Sequence, residues 1–153
     1  MERYQKIHKH PVYQKMIENI EKAEENRVFC LHGTEHALDT ARIAYIIALE
    51  ERIDLKKDII YAAALLHDIG RYSDKEHNVR SAEIVSELMP ECGYTAEETA
   101  VVAEAVRMHR TDNGDGLAAI LYRADKLSRN CFHCKAVSDC YWADEKRNKN
   151  IVY

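Results

Sequence analysis

Apolar residues recur at intervals of three and four along most of this 153-residue chain, and few residues interrupt them. Only five Gly and two Pro occur, and no stretch keeps the alternation of apolar and polar residues that marks a half-buried strand. This periodicity predicts an all-α protein. The length suits one domain, which buries roughly two thirds of the surface of its unfolded chain. We therefore expect a single compact helical bundle over residues 1–153.

Start and stop signals divide the periodic stretches into about six helices. Thr34 is a suitable cap for the second helix, Gly70 a stop signal for the third, and Pro90 a stop signal for the fourth. The sequence TAEE, from Thr95 to Glu98, forms a capping box for the fifth. The predicted helices cover about residues 12–26, 34–51, 54–70, 79–89, 95–109 and 117–129.

Charge and hydropathy exclude several classes of protein. The formal net charge is −4, and Lys and Glu are interspersed, which argues against bulk binding of nucleic acid but leaves room for a local phosphate pocket. The amino terminus has no apolar signal region, and the longest apolar runs, IAYIIAL and YAAALL, are too short to cross a bilayer. We expect a cytoplasmic protein without a membrane partner. Whether it forms a homo-oligomer stays open.

Titratable side chains occupy inward positions on four of the predicted helices. The sequence AAALLHDIG ends an apolar helix in His67 and Asp68, and three further residues share a stripe with apolar neighbours: His36, His109 and Asp125. Burying each group alone is costly, so together they indicate a common partner. A bound metal ion would satisfy all of them.

Each of these residues also has an ordinary interpretation. A single His on an apolar face is more often a hydrogen-bonded core residue than a ligand. Asp68 and Asp125 could cap neighbouring helix ends or pair with Arg71 and Lys126. The combination of groups, rather than any one of them, favours the metal interpretation.

Three segments in order, HALDTARIA, LLHDIGR and YRADKLSR, carry a His, then His-Asp, then Asp. This signature resembles the HD-domain superfamily of metal-dependent phosphohydrolases. The resemblance covers about residues 30–130 and leaves 131–153 as a Cys-containing C-terminal extension. It implies a helical bundle of the HD type, in which four residues ligate a divalent metal: His36, His67, Asp68 and Asp125. Mixed imidazole and carboxylate ligands suit Mn, Fe, Co, Ni or Zn.

Two further histidines extend the resemblance. His77 and His109 are similar to the extra histidines of HD proteins with two metals, which include bacterial diadenosine tetraphosphate hydrolases. In that case Asp68 bridges two ions, and His77 and His109 serve the second. The short connection between Asp68 and His77 departs from this pattern and leaves His77 as an alternative substrate contact. The sequence thus predicts one or two ions.

The resemblance also implies a reaction, the hydrolysis of a nucleotide or another small phosphate ester by metal-activated water. Asp68 is then expected to orient or deprotonate the water. Arg71 and Lys126 are expected to neutralise substrate phosphate and complete the catalytic set. The alternative for both basic residues is an ordinary solvated charge.

Three cysteines lie close together after the last predicted helix, at Cys131, Cys134 and Cys140. Five cysteines without a secretion signal do not predict a disulfide framework. The CxxC spacing of the first two can hold a structural Zn or Fe ion, and three thiolates also leave an iron–sulfur cluster open. The candidates for completing four ligands are Cys140, His133, Cys30 and His32.

Two alternatives to the hydrolase follow from the same features. The first is a non-catalytic metal-binding or nucleotide-binding module, or a redox sensor, built on the HD fold with the cysteines as its responsive element. The second is a helical scaffold that contacts a protein through the aromatic tail CYWADEKRNKNIVY. The alternative to a metal site at the cysteines is that they are reduced thiols that pack the tail on the bundle, with Phe132 and Trp142 as anchors.

Overall fold

The computed structural model describes residues 2–153, which form an all-helical structure without a strand. The all-α prediction is therefore confirmed for this part of the chain, although it contains seven α-helices rather than about six. They are α1 (Arg3–Lys9), α2 (Pro11–Ala23), α3 (Thr34–Glu50), α4 (Lys57–Leu66), α5 (His77–Glu91), α6 (Ala96–Met108) and α7 (Gly116–Leu127).

The additional helix is α1, which precedes the region where the sequence predicted the first helix. It is only seven residues long and buries two apolar side chains, Tyr4 and Ile7, so its periodic signal is weak. His10 separates it from α2 and accepts a hydrogen bond from Val12 N at its own Nδ1, 3.3 Å away. Pro11 occupies the first position of α2, where its missing N–H costs nothing.

Helix α4 lies at the centre of the bundle. It contacts α3, α6 and α1, and seven of its ten residues are buried. Three consecutive alanines, residues 62–64, keep its surface narrow, and Ile60 and Leu66 fill the adjacent core. Burying a side chain of that size contributes about 1.5–3 kcal/mol. Helix α4 is therefore a central part of the hydrophobic core. None of the helices in residues 2–153 has the length and apolar character needed to cross a membrane.

Three predicted helix boundaries need correction, and one signal is confirmed. Thr34 is the first residue of α3 rather than its cap, and its hydroxyl donates to Glu21 Oε1, 3.2 Å away. The predicted third helix ends at Leu66 instead of Gly70. Pro90 lies inside the last turn of α5, where a missing N–H costs only one hydrogen bond. The capping box of Thr95 is present at the start of α6.

The C-terminal segment, residues 131–153, contains no α-helix. It forms three 3₁₀-helices of three residues each, and none of its residues is buried. Asn148 Nδ2 ties the segment to the bundle, because it donates to the carbonyls of Lys126 and Arg129 at 2.8 Å each. The segment has no hydrophobic core of its own.

Candidate metal centre

The turn after α4 carries His67 and Asp68 and packs tightly against the start of α5. Gly70 makes this contact possible, since a Cβ there would lie 2.5 Å from the backbone nitrogen of Ser81 and 2.8 Å from the carbonyl of His77. Gly70 N also donates to Ser81 Oγ at 2.9 Å. The absence of a side chain at residue 70 therefore brings Asp68 beside His77.

One group of ligand atoms forms around the Nε2 atom of His36. This atom lies 3.1 Å from His67 Nε2, 3.4 Å from Asp68 Oδ2 and 3.3 Å from Asp125 Oδ1. One ligand atom from each of the four residues lies within 4.8 Å of the others. The structure thus brings together the four residues that the HD signature predicts as ligands.

A second group shares Asp68 with the first. Asp68 Oδ1 lies 3.2 Å from His77 Nε2 and 3.6 Å from His109 Nε2, and these two imidazole nitrogens are 3.2 Å apart. The other carboxylate oxygen, Oδ2, faces the first group. Asp68 therefore lies between two candidate sites and offers one oxygen to each.

Backbone carbonyls determine which nitrogen of two histidines faces the site. His67 Nδ1 donates to the carbonyl of Ala64 at 2.7 Å, and His109 Nδ1 donates to the carbonyl of Val106 at 2.6 Å. Because a carbonyl can only accept, each neutral ring keeps its proton on Nδ1 and its lone pair on Nε2. Both lone pairs then face a candidate metal position, as metal ligation requires.

The hydroxyl of Ser128 determines which nitrogen of His36 faces the site. Ser128 Oγ donates its hydrogen to the carbonyl of Asp125 at 2.7 Å, so it must accept a hydrogen bond from His36 Nδ1, 3.2 Å away. The sequence alone did not single out Ser128. It lies at the end of α7, and its contact with α3 depends on how the two helices pack.

The charges in this centre are strongly coupled. Burial alone would raise the pKa of Asp68, but the neighbouring His67, His109 and His36 hold the pKa of its carboxyl well below the usual range. Burial likewise opposes the charged form of His67, but Asp68 and Asp125 outweigh it and raise the pKa of His67 to about 10. The carboxylates are thus stabilised by positive charge beside them, which a bound divalent cation would supply.

The residues present fit a transition metal. Asp68 Oδ1 is buried and accepts no aligned hydrogen bond from the described part of the chain, which leaves a carboxylate oxygen free to ligate. The other donors are imidazole nitrogens and a second carboxylate, the set that Mn, Fe, Co, Ni and Zn accept. His36, His67, Asp68 and Asp125 would hold one ion, and Asp68, His77 and His109 could hold another.

The two basic residues predicted to bind substrate phosphate, Arg71 and Lys126, lie beside the carboxylates. Lys126 Nζ donates to Asp125 Oδ2 at 2.6 Å. Arg71 Nε lies 3.1 Å from Asp68 Oδ1, but the two are not aligned for a hydrogen bond. The side chains of Arg71 and Lys126 are 26% and 28% exposed, so both can reach a ligand.

A cavity of about 290 Å³ opens onto the first group, and His36 and Asp125 form part of its wall. Its only acidic wall residue in residues 2–153 is Asp125, although the chain as a whole is acidic. Such a distribution of charge favours an anionic ligand. Five basic residues line the cavity: Arg27, Arg71, Lys126, Arg129 and Arg147.

A buried carboxylate on the same side of the molecule was not predicted from sequence as part of the site. Glu24 is 3% exposed and accepts hydrogen bonds from His32 N, His32 Nδ1 and Tyr72 OH at 2.7, 2.6 and 2.7 Å. Burial opposes ionisation, but Tyr72 and His32 lower the pKa of Glu24. Glu24 therefore orients His32, whose ring contacts that of His36 edge-on and lines the cavity.

Tyr72 reaches Glu24 from an uncommon backbone conformation. Its φ of 61° lies in the left-handed region, which costs a residue with a side chain about 1–3 kcal/mol. This turn follows directly after the His-Asp pair. Periodicity could not reveal the contact, because Tyr72 lies in a turn and is 48 residues from Glu24 in sequence. The first predicted helix included Glu24, whereas α2 ends at Ala23.

The predicted thiols also reach this cavity. Cys131, Cys134 and Cys140 line it, together with Cys30, while His133 is exposed and lies outside the wall. His32 lies on the wall but is held by Glu24. Of the four candidates for completing a cysteine site, Cys30 and Cys140 are thus the thiols that share the cavity wall with Cys131 and Cys134.

The comparison with known families agrees with this arrangement. The HD domain family matches residues 33–130, which include both groups of candidate ligands. This chain belongs to the HD domain family.

Individual relatives cover the chain to different extents. An uncharacterized protein of Clostridium beijerinckii is 40% identical over the whole of both chains. The bifunctional uridylyltransferase/uridylyl-removing enzyme of Azospirillum brasilense is 33% identical over 56% of this chain, but the match spans only 9% of that enzyme. The crystal structure of a predicted HD superfamily hydrolase from an uncultured Thermotogales bacterium is 25% identical. Its TM-score is 0.64, and the match covers 88% of this chain and 79% of that one.

Proposed function

We propose that this protein is a metal-dependent phosphohydrolase that acts on a nucleotide or another small phosphate ester. One observation carries the proposal. A cavity walled by five basic residues and one acidic residue opens directly onto the group formed by His36, His67, Asp68 and Asp125. An anionic phosphate ester drawn into this cavity would lie against the candidate metal ligands.

The reaction is the addition of water to phosphorus with cleavage of the ester P–O bond. His36, His67, Asp68 and Asp125 would hold a divalent metal, which would supply an activated water at neutral pH and neutralise charge on a phosphoryl oxygen. Asp68, an ionised carboxylate, orients the water or takes its proton. Arg71 and Lys126 bind the phosphoryl oxygens, since both are cations at the cavity wall beside the ligand carboxylates.

The names of similar proteins support hydrolysis and a nucleotide-containing substrate. The similar crystal structure is that of a predicted HD superfamily hydrolase, and the matched segment of the Azospirillum protein belongs to an enzyme that removes uridylyl groups. Aromatic side chains at the cavity wall, Phe29, Tyr141 and Trp142, provide surfaces on which a base can stack.

The proposal is tested with metal-loaded protein and a phosphate-release screen over nucleotides and small phosphate esters. Asp68→Asn should abolish metal binding or reduce hydrolysis to background while the helical content, measured by circular dichroism, is kept. The matched control is Asp74→Asn, the same chemical change at a nearby exposed residue, and it should keep full activity. Full activity in Asp68→Asn would overturn the role of Asp68.

The second candidate is a non-catalytic sensor, and the position of the thiols favours it over a simple scaffold. Cys30 and three cysteines of the C-terminal segment line the same cavity as His36 and Asp125. A sensor would bind metal and nucleotide at this cavity without turnover. Tight metal binding, nucleotide binding by calorimetry and no phosphate release across the screen would support it and contradict the hydrolase.

A further inference from the structure

Four of the five cysteines approach one another from distant parts of the chain. Cys30 precedes α3, Cys131 and Cys134 lie at either end of the first 3₁₀-helix, and Cys140 follows the second. All four are free, half-buried and on the wall of one cavity. Cys92, by contrast, is buried alone at the end of α5. Only the four cysteines of the cavity wall are therefore candidates for a shared site.

The spacing of the thiols indicates whether they suit a single metal ion or a larger metal cluster. Cys30 shares the cavity wall with Cys131, Cys134 and Cys140, and negative charge on these three thiols would raise the pKa of Cys30 further. Among residues 2–153, however, only the two His and Asp groups bring three ligand atoms within 4.8 Å of one another. A single tetrahedral zinc with Zn–S bonds of about 2.3 Å would place its thiolates roughly 3.8 Å apart. The wider arrangement suits a cluster in which the thiolates bind different iron atoms.

Basic residues surround the thiols and can balance their charge. Arg27 Nε donates to the carbonyl of Cys30, and an Nη of Arg147 donates to the carbonyl of Cys140, each at 2.8 Å. Burial raises the pKa of the Cys30 thiol, and the positive charge of Arg129 opposes this rise. The Nε atom of Arg147 is buried and has no hydrogen-bond partner in the described part of the chain. An anionic centre at the thiols would meet this unused donor.

The C-terminal segment also needs a source of order other than hydrophobic burial. Residues 131–153 contain no buried residue and no helix longer than three residues. A segment of this kind does not bury enough apolar surface to offset its loss of conformational freedom. Metal–thiolate bonds commonly supply the missing stabilisation. A centre bound to Cys30 would attach the segment to the residues that precede α3.

We propose that Cys30, Cys131, Cys134 and Cys140 ligate an iron–sulfur cluster that forms one wall of the cavity. This site is separate from the ligands of the HD signature and does not depend on the proposed hydrolysis. The cavity wall would then carry both the HD-site residues His36 and Asp125 and the cluster.

The test measures acid-labile sulfide together with iron, because sulfide reports a cluster even if the HD site also holds iron. Protein purified without oxygen, or reconstituted with iron and sulfide, should contain both and absorb visible light. Cys131→Ser/Cys134→Ser should lose nearly all the sulfide. The matched control Cys92→Ser should keep it, and so should His67→Ala/Asp68→Ala, which removes ligands of the HD site.

A second measurement guards against a variant that fails to fold. Removing the cluster from the unaltered protein with a chelator should speed cleavage by trypsin within residues 131–153, while the helical content stays unchanged. Zinc without sulfide in the unaltered protein would overturn the proposal in favour of a mononuclear thiolate site. Absence of sulfide after reconstitution, or its retention in the Cys131/Cys134 variant, would overturn it as well.

Discussion

At the scale of residues, two histidines of the cavity wall are oriented by neighbours that the sequence does not mark, His36 by Ser128 and His32 by Glu24. His36, His67 and Asp125 could be predicted because they interrupt apolar stripes and match a known signature. Ser128 and Glu24 could not, because a hydroxyl or carboxylate near a helix end is common and acquires its role only through tertiary packing. Periodicity identifies the side chains that a helix directs towards the core. It does not identify the distant residues that these side chains contact.

Ser128→Ala should weaken metal binding by about 10- to 100-fold, because the ring of His36 loses the acceptor for its Nδ1 proton. Isothermal titration with Mn²⁺ or Zn²⁺ measures the change. Ser86→Ala is the matched control, since the hydroxyl of Ser86 bonds only to the carbonyl of Ala82 within its own helix. Equal affinity of Ser128→Ala and the unaltered protein would remove Ser128 from the site.

At the scale of elements, local signals predicted the helices that are long or well capped. The capping box of α6 was read correctly because Thr95 and Glu98 bond each other's backbone within four residues. Helix α1 was missed because a short helix owes its stability to tertiary contacts rather than to local ones. Pro90 was predicted to stop the helix, but α5 continues through Pro90 and ends one residue later, at Glu91. A Pro removes one backbone hydrogen bond and crowds the preceding turn, and burial of Leu88 and Met89 in the same turn opposes that cost.

Thr95→Ala should lower the free energy of unfolding by about 1 kcal/mol, within a range of roughly 0.5–2, because the N–H of Glu98 loses its side-chain partner. Urea denaturation followed by circular dichroism measures the difference. Thr111→Ala serves as the control, because the exposed hydroxyl of Thr111 donates to a carbonyl at the other end of the helix. Indistinguishable curves for Thr95→Ala and the unaltered protein would contradict the cap's contribution.

At the scale of the whole molecule, Arg3 connects three helices. From α1 it donates to Asp58 in α4 at 2.7 Å and to Glu98 in α6 at 2.9 Å, and its guanidinium lies 4.2 Å from the ring centre of Tyr94. The bond to Arg3 is the main reason that the pKa of Glu98 falls to about 2. The helix that local signals did not predict is thus attached by long-range charge pairs.

Stability from this attachment should depend on pH in a defined direction. A depressed carboxylate pKa stabilises the folded state fully above the unfolded value of about 4.5 and progressively less as pH falls towards about 2. Arg3→Met should therefore lower the free energy of unfolding near about pH 6, and its difference from the unaltered protein should shrink by about pH 3. Urea unfolding across this range measures both values.

Lys15→Met provides the matched control, because Lys15 pairs with Glu18 on an exposed face of α2. Such a pair contributes about 0–1 kcal/mol, so this variant should differ little from the unaltered protein at either pH. A constant difference between Arg3→Met and the unaltered protein across the range would show that packing, rather than charge, attaches α1.

The two carboxylate oxygens of Asp68 face different imidazoles, because Oδ2 lies near His67 and Oδ1 lies near His77. If a cation were bound at each oxygen, Asp68 would link the two positions energetically. A cation at one oxygen would draw on the same negative charge and repel a cation at the other, so a second ion would bind more weakly than the first. Because linkage is reciprocal, each ion would weaken the binding of the other by the same factor. The two positions would then fill in steps, and the free metal concentration would decide whether one or two ions were bound.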